Sequence, residues 1–188
     1  LRWIEAGWFC LGIPLLALWL WGWLGDWRAG LVGGALYAVS IAAVMRSTGH
    51  ELSKENFALP LLLGHLALAA RVAGRRGWSL HAWSAASAFV LGWSLWNWDL
   101  IQFYAGLWAL YTAWQSLRRD WTRAPDVLVP WMWNAAALVV VGAASPYYRY
   151  HGFLLSLPLL LVYAVALREL AGRWLPARWQ GRIHPWQV

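Results

Sequence analysis

The stretch WSLHAWSAASAFVLGWSLWNWDLIQFYAGLWALYTAWQSL, residues 78–117, decides how the chain is read, because Asp99 is its only Asp, Glu, Lys or Arg. As one helix it would rise about 60 Å, roughly twice the ~30 Å hydrocarbon thickness of a bilayer. Asn97, Trp98 and Asp99 form the one polar interruption suited to a tight turn. The stretch therefore divides into two predicted helices, 78–96 and 100–117. One long helix is the alternative, and it would exchange the sides of every later linker.

The same texture extends outward through most of the chain. Hydrophobic residues make up 61% and charged residues 12% of 188, against roughly 45–50% and about 25% in soluble domains. We expect an all-α, polytopic transmembrane bundle of about seven spans, with six as the alternative. The predicted helices are 3–24, 29–45, 57–72, 78–96, 100–117, 127–144 and 152–170. Residues 1–170 form this bundle and 171–188 a basic, Trp-rich tail, leaving no room for a separate soluble domain. The third helix is short and carries Pro60. The first apolar run is longer than a signal-peptide core and lacks the basic start and small-residue cleavage site, so a retained span is expected.

Arginine sets the expected orientation. One set of linkers holds Arg2, Arg46, Lys54 and Arg149, and the other holds Arg28, Arg71, Arg75, Arg76, Arg118, Arg119, Arg123, Arg168, Arg173, Arg178 and Arg182. The positive-inside rule assigns the second set to the cytoplasm, with the N-terminus outside and the C-terminus inside. The balance of 14 Arg to one Lys points to a GC-rich bacterial genome and an inner-membrane location. The net charge of +7 forms no continuous stripe, so no nucleic acid is expected as a partner. In the tail, Arg173, Arg178 and Arg182 alternate with Trp174, Trp179 and Trp186, and Pro176 prevents one regular helix. Anionic lipid headgroups are its expected partner, and a partner membrane subunit is the competing one.

Nineteen Trp residues exceed what a core needs. Trp3, Trp27, Trp78, Trp121, Trp174 and Trp179 fall near span ends, where an indole lies in the interface. Trp19, Trp93 and Trp108 fall inside spans and either line a cavity or fill the core. Gly30 and Gly34 have the four-residue spacing that lets helix backbones approach. Cys10, the single cysteine, excludes an internal disulfide and reads as a small buried thiol.

Candidate chemistry falls in two places. Three loops on the outer side carry His50, Glu51, Asp99, Arg149 and His151, together with Arg46, Ser47, Glu55, Asn97, Tyr147, Tyr148 and Tyr150. Two imidazoles and several carboxylates there would offer acid–base groups or metal ligation, and ordinary solvated loops have the same composition. The zinc-protease pattern fails, because Lys54 stands where its second His belongs. A G-x-S-x-G elbow is absent. His65, in the middle of the third helix, is expected to face the interior. It is read either as a cofactor ligand or proton relay, or as a neutral imidazole bonded to a carbonyl or to Asn134, Ser87 or Tyr37. No cofactor is assigned and no metal is expected.

Two functions follow. The first is non-enzymatic: the bundle binds or passes a small apolar or aromatic molecule at His65, Asn134, Tyr37, Trp93 and Trp108, or serves as an accessory subunit of a larger membrane complex. The second is an enzyme acting on a lipid-linked substrate at the periplasmic face. His50 and His151 would be its acid–base or metal-binding groups, oriented by Glu51 and Asp99, with Arg149 holding a phosphate or carboxylate.

Overall fold

A computed structural model describes residues 2–40, 54–118, 121 and 124–174, and every element in them is helical. Helices α1 (Arg2–Cys10) and α2 (Gly12–Leu24) come from the single apolar run 3–24. That run breaks at Leu11 because Pro14 has no N–H for the Cys10 carbonyl and its ring crowds that group. Gly25 then takes the left-handed conformation at φ 71° and closes α2. Asp26 opens α3 (Trp27–Val39) by accepting from the Arg28 N–H at 2.9 Å. The resulting hairpin is tight, since a Cβ on Gly30 would lie 2.5 Å from the Ala17 carbonyl oxygen.

Helix α4 (Lys54–Val72) occupies the centre, packing on α1, α2 and α5 (Gly77–Asn97). After Asn97 the chain turns at Trp98–Leu100 and enters α6 (Ile101–Arg118), so the single-long-helix alternative for 78–117 is excluded. Helix α7 (Pro125–Ala144) packs on α5. A one-turn helix α8 (Pro146–Tyr150) and a 3-10 turn at Phe153–Leu155 lead to α9 (Leu157–Trp174), which pairs with α6. The last helix was expected from 152. It starts five residues later because Gly152 adopts φ 66° and Ser156 is extended, and Pro158 fits a first helical turn.

Hydrogen bonds sort the linkers to two ends. Tyr148 Oη donates to the Leu95 carbonyl at 2.9 Å and Tyr147 Oη to Asp99 Oδ2 at 3.0 Å, so the α5–α6 turn meets α8. At the opposite end the Arg71 guanidinium lies 5.7 Å over the Trp21 ring.

Many large apolar side chains are exposed, while the buried faces mix small polar residues with apolar ones. The buried face of α5 carries Ser84, Ser87, Ser94 and Gly92, while Phe89, Trp93 and Trp96 face outward. On α6 the buried face is Ile101, Ala105, Ala109, Thr112 and Ser116, and Phe103, Leu107, Leu110 and Trp114 are exposed. The outward faces of amphipathic helices in water are mostly charged or polar, whereas these carry large apolar side chains. Among the described residues two stretches are long and apolar enough to cross a membrane, Ala6–Leu24 and Pro125–Ala144, with Asn56–Val72 a shorter apolar helix.

Two expectations for single residues are corrected. Trp121, read as an interfacial anchor, is fully buried with its ring 5.8 Å from that of Trp131. Cys10 is exposed rather than buried, on the outer face of the last turn of α1.

Candidate functional site

His65 lies on the inner face of α4, 1% exposed, with both ring nitrogens engaged. Nδ1 is 3.0 Å from the Ser87 carbonyl, which only accepts, so Nδ1 carries the proton. Nε2 then accepts from Tyr104 Oη at 2.8 Å, and Ser87 Oγ donates back to the His65 carbonyl at 3.2 Å. These bonds tie α4, α5 and α6 together. Neither nitrogen is left to ligate haem or a metal without breaking one of them, so the cofactor-ligand reading of His65 does not fit.

Beyond Ser87 lies a cavity of about 490 Å³ between α5, α6 and α7, lined among others by Ser84, Trp108, Trp121, Asp126, Trp131 and Asn134. From α6 it is lined by Trp108, Tyr111, Thr112 and Gln115. Pro130 leaves the Asp126 carbonyl without its intrahelical donor.

The polar atoms around this cavity set it apart. Elsewhere in the core, Ser94 Oγ donates to the Ala58 carbonyl at 2.8 Å and Ser116 Oγ to the Ala113 carbonyl at 2.8 Å. Ser84 Oγ, Trp121 Nε1, Trp131 Nε1 and Asn134 Oδ1 are buried and have no hydrogen-bond partner among the described residues. An unsatisfied buried polar group costs about 1–3 kcal/mol, and four of them line one cavity. A bound molecule carrying oxygen acceptors would satisfy the hydroxyl and the two indole N–H groups.

Of the residues predicted for ligand binding, Asn134 and Trp108 line this cavity and His65 sits one side chain behind it. Tyr37 lies elsewhere, its ring 5.8 Å from that of Phe9. Trp93 lines a separate outer groove of about 560 Å³ between α5 and α7. Ser84, Trp121 and Trp131 were not anticipated as site residues. For Trp131 the signal was present, since it stands three residues before Asn134 on one face of α7.

At the α5–α6 turn, Asp99 and His151 both meet Tyr147, through its hydroxyl and through rings 4.4 Å apart, respectively. The Asp99 hydrogen bond holds the Tyr147 phenol above its ordinary range, and burial does the same for Tyr148. Arg149 is exposed. His50 and Glu51 lie outside the described residues, as do Arg178, Arg182 and the side chain of Arg173. Among the described residues no three His, Cys, Asp or Glu groups gather as metal ligands. At the opposite end, Arg75 and Arg118 stack over Trp83 and Trp114, at 5.5 and 4.3 Å.

Compared with protein-family models, curated protein sequences and solved structures, the chain matches none of them.

Proposed function

We propose that the chain is a multi-pass inner-membrane protein that binds a small aromatic molecule bearing oxygen acceptors in the α5–α6–α7 cavity. The observation that carries this reading is the unpartnered Ser84 hydroxyl and Trp121 and Trp131 indole N–H groups, which call for acceptors, around a space of about 490 Å³ that Asn134 also lines. Ligand pockets of roughly 300–1,000 Å³ combine apolar walls with a few such polar groups. The membrane setting is supported by the many exposed large apolar side chains, and its orientation by the guanidinium–indole pairs at the Arg-rich end, where cations meet anionic headgroups.

Native mass spectrometry of the chain in mild detergent tests the cavity. The wild-type chain is expected to retain a small non-lipid molecule or to take up added 1-indanone, a fused ring with one carbonyl. Asn134→Leu, which replaces the amide at the cavity wall by a branched apolar side chain, is expected to do neither. Equal uptake by the two proteins, or none by either, would remove the reading.

A second reading, an accessory subunit, has its own support. The outer groove has a floor of Ala85, Ala88, Gly92 and Ala137 between the rings of Trp93 and Trp133, and small residues let a partner helix approach. A stable heavier complex, extracted in digitonin and lost on Gly92→Leu, is the expected result.

A further inference from the structure

Helices α2 and α5 both pack on α4 and hardly meet each other, which leaves an apolar trough of about 470 Å³ along α4. Leu61, Gly64 and Leu68 line it from α4, Leu15 and Leu18 from α2, and Val90 from α5. The two side walls approach each other at Gly64, where an added Cβ would stand 3.6 Å from Val90 Cγ1 and 3.8 Å from Leu15 Cδ1. Among the described residues the lining holds one charged side chain, Arg71, whose guanidinium lies 5.7 Å over the Trp21 ring. Arg75 joins it at that end, donating from Nε to the Arg71 carbonyl at 3.3 Å, with its guanidinium 5.5 Å over Trp83, another lining residue. Neither guanidinium forms an ion pair among the described residues. At the other end the Trp8 indole lines the trough and donates to the Phe57 carbonyl at 3.3 Å. From Pro60 to Arg71, both in the lining, α4 rises about 16 Å, which matches one leaflet's half of the ~30 Å hydrocarbon core.

We propose that this trough holds an acyl chain of an acidic phospholipid of the phosphatidylglycerol class, with the lipid phosphate taken by Arg71 and Arg75. A surface apolar along one leaflet's depth and doubly cationic at one end complements an amphiphile whose head is an anion. Guanidinium forks suit phosphate oxygens, which accept parallel N–H bonds. A zwitterionic head brings an ammonium that the same two cations repel. The inference rests on the membrane setting proposed above and not on the α5–α6–α7 cavity, with which the trough shares no lining residue.

The test is native mass spectrometry of the full chain in maltoside detergent, with dioleoyl phosphatidylglycerol and dioleoyl phosphatidylcholine added at equal concentration. The wild-type chain is expected to retain one phosphatidylglycerol at least fivefold in preference to phosphatidylcholine, a little more than one exposed charge pair supplies. Arg71→Gln is expected to lose most of that preference, and Arg71→Lys, which keeps the charge without the fork, to lose less. Gly64→Leu, which sets a branched side chain between the walls, is expected to lose retention of both lipids, whereas Gly64→Ala, whose added Cβ makes ordinary contacts, is expected to keep it. Leu68→Trp places bulk at a half-buried position of the same wall and serves where Gly64→Leu does not fold, as judged by circular dichroism melting. Equal retention of the two lipids by the wild-type chain, the mark of a non-selective annular lipid, would overturn the proposal. So would an unchanged preference in Arg71→Gln, or wild-type retention by a folded Gly64→Leu or Leu68→Trp. A chain that stays monodisperse without detergent would remove the membrane setting and the lipid site with it, whereas failure of selectivity alone would leave that setting in place.

Discussion

A methyl group added at Gly30 would meet a backbone oxygen, Ala17 O, which cannot rotate away as a side chain does, so α2 and α3 would have to separate. Gly30→Ala is expected to destabilise the chain by about 1–3 kcal/mol, the usual range for overpacking, read as a lower melting temperature in detergent. Gly7→Ala is the control, since nothing lies within 4 Å of its added Cβ. It is expected to be neutral or to stabilise by up to about 1 kcal/mol. Tyr147 gives a prediction in pH. Its neutral phenol is favoured in the fold by the Asp99 hydrogen bond first, then by desolvation and the nearby charge, so its folded value is raised. The stabilisation is therefore complete below the ordinary phenol range and lost as pH rises through the folded value. Asp99→Asn is expected to bring phenolate absorbance to lower pH, and an unchanged titration would contradict the assignment. The Gly30 contact was legible in the sequence because four-residue spacing repeats along one helix face. The burial of Trp121 was not, because it depends on Trp131, a partner on a different helix.

Helix α6 turns away from α5 to pack on α9, and the Tyr104–His65 hydrogen bond joins it directly to α4. Tyr104→Phe keeps the ring and leaves His65 Nε2 buried without a donor, which is expected to cost about 1–3 kcal/mol. Ser87→Ala should cost less, because the Ser87 carbonyl that receives the Nδ1 proton remains. Equilibrium unfolding of both variants in detergent checks the order. Equal effects would mean that the hydroxyl of Ser87, rather than the phenol, carries the tie. The helices themselves were largely legible: apolar runs bounded by Asp26, Gly74, Asn97 and Pro125 become α3 to α7 with ends near those residues. The break at Leu11 was missed because Pro14 was weighed only as part of a long apolar run. The late start of α9 was missed because Gly152 and Ser156 are ordinary helix neighbours until their backbone angles are known. Tyr104 was missed as the partner of His65 because the two lie 39 residues apart on helices whose register the sequence does not specify.

Taken together, the helices bury Ser84, Ser87, Ser94, Thr112, Ser116 and His65 among apolar side chains, leave many tryptophan, phenylalanine and leucine side chains exposed, and set guanidinium–indole pairs at one end. In water, that exterior would drive association through exposed apolar area well beyond the few hundred Å² a monomer usually tolerates. In hydrocarbon it is the stable arrangement, because inward hydroxyls bond to carbonyls of their own or neighbouring helices, as Ser94 does to Ala58. The proposed orientation then becomes a question of which end an impermeant reagent reaches. Cys10 is exposed and would report by itself, so the experiment needs a Cys10→Ser background. Single cysteines at Arg75, beside the α4–α5 turn, and at Tyr150, 86% exposed on α8, sample opposite ends. In intact bacterial cells a membrane-impermeant maleimide is expected to label Tyr150→Cys and to spare Arg75→Cys until the membrane is opened. Labelling of both before permeabilisation would mean that the polypeptide does not separate two compartments. The reverse pattern would keep the bundle in the membrane and turn it over, placing the Asp99 turn in the cytoplasm and the Arg-rich end outside.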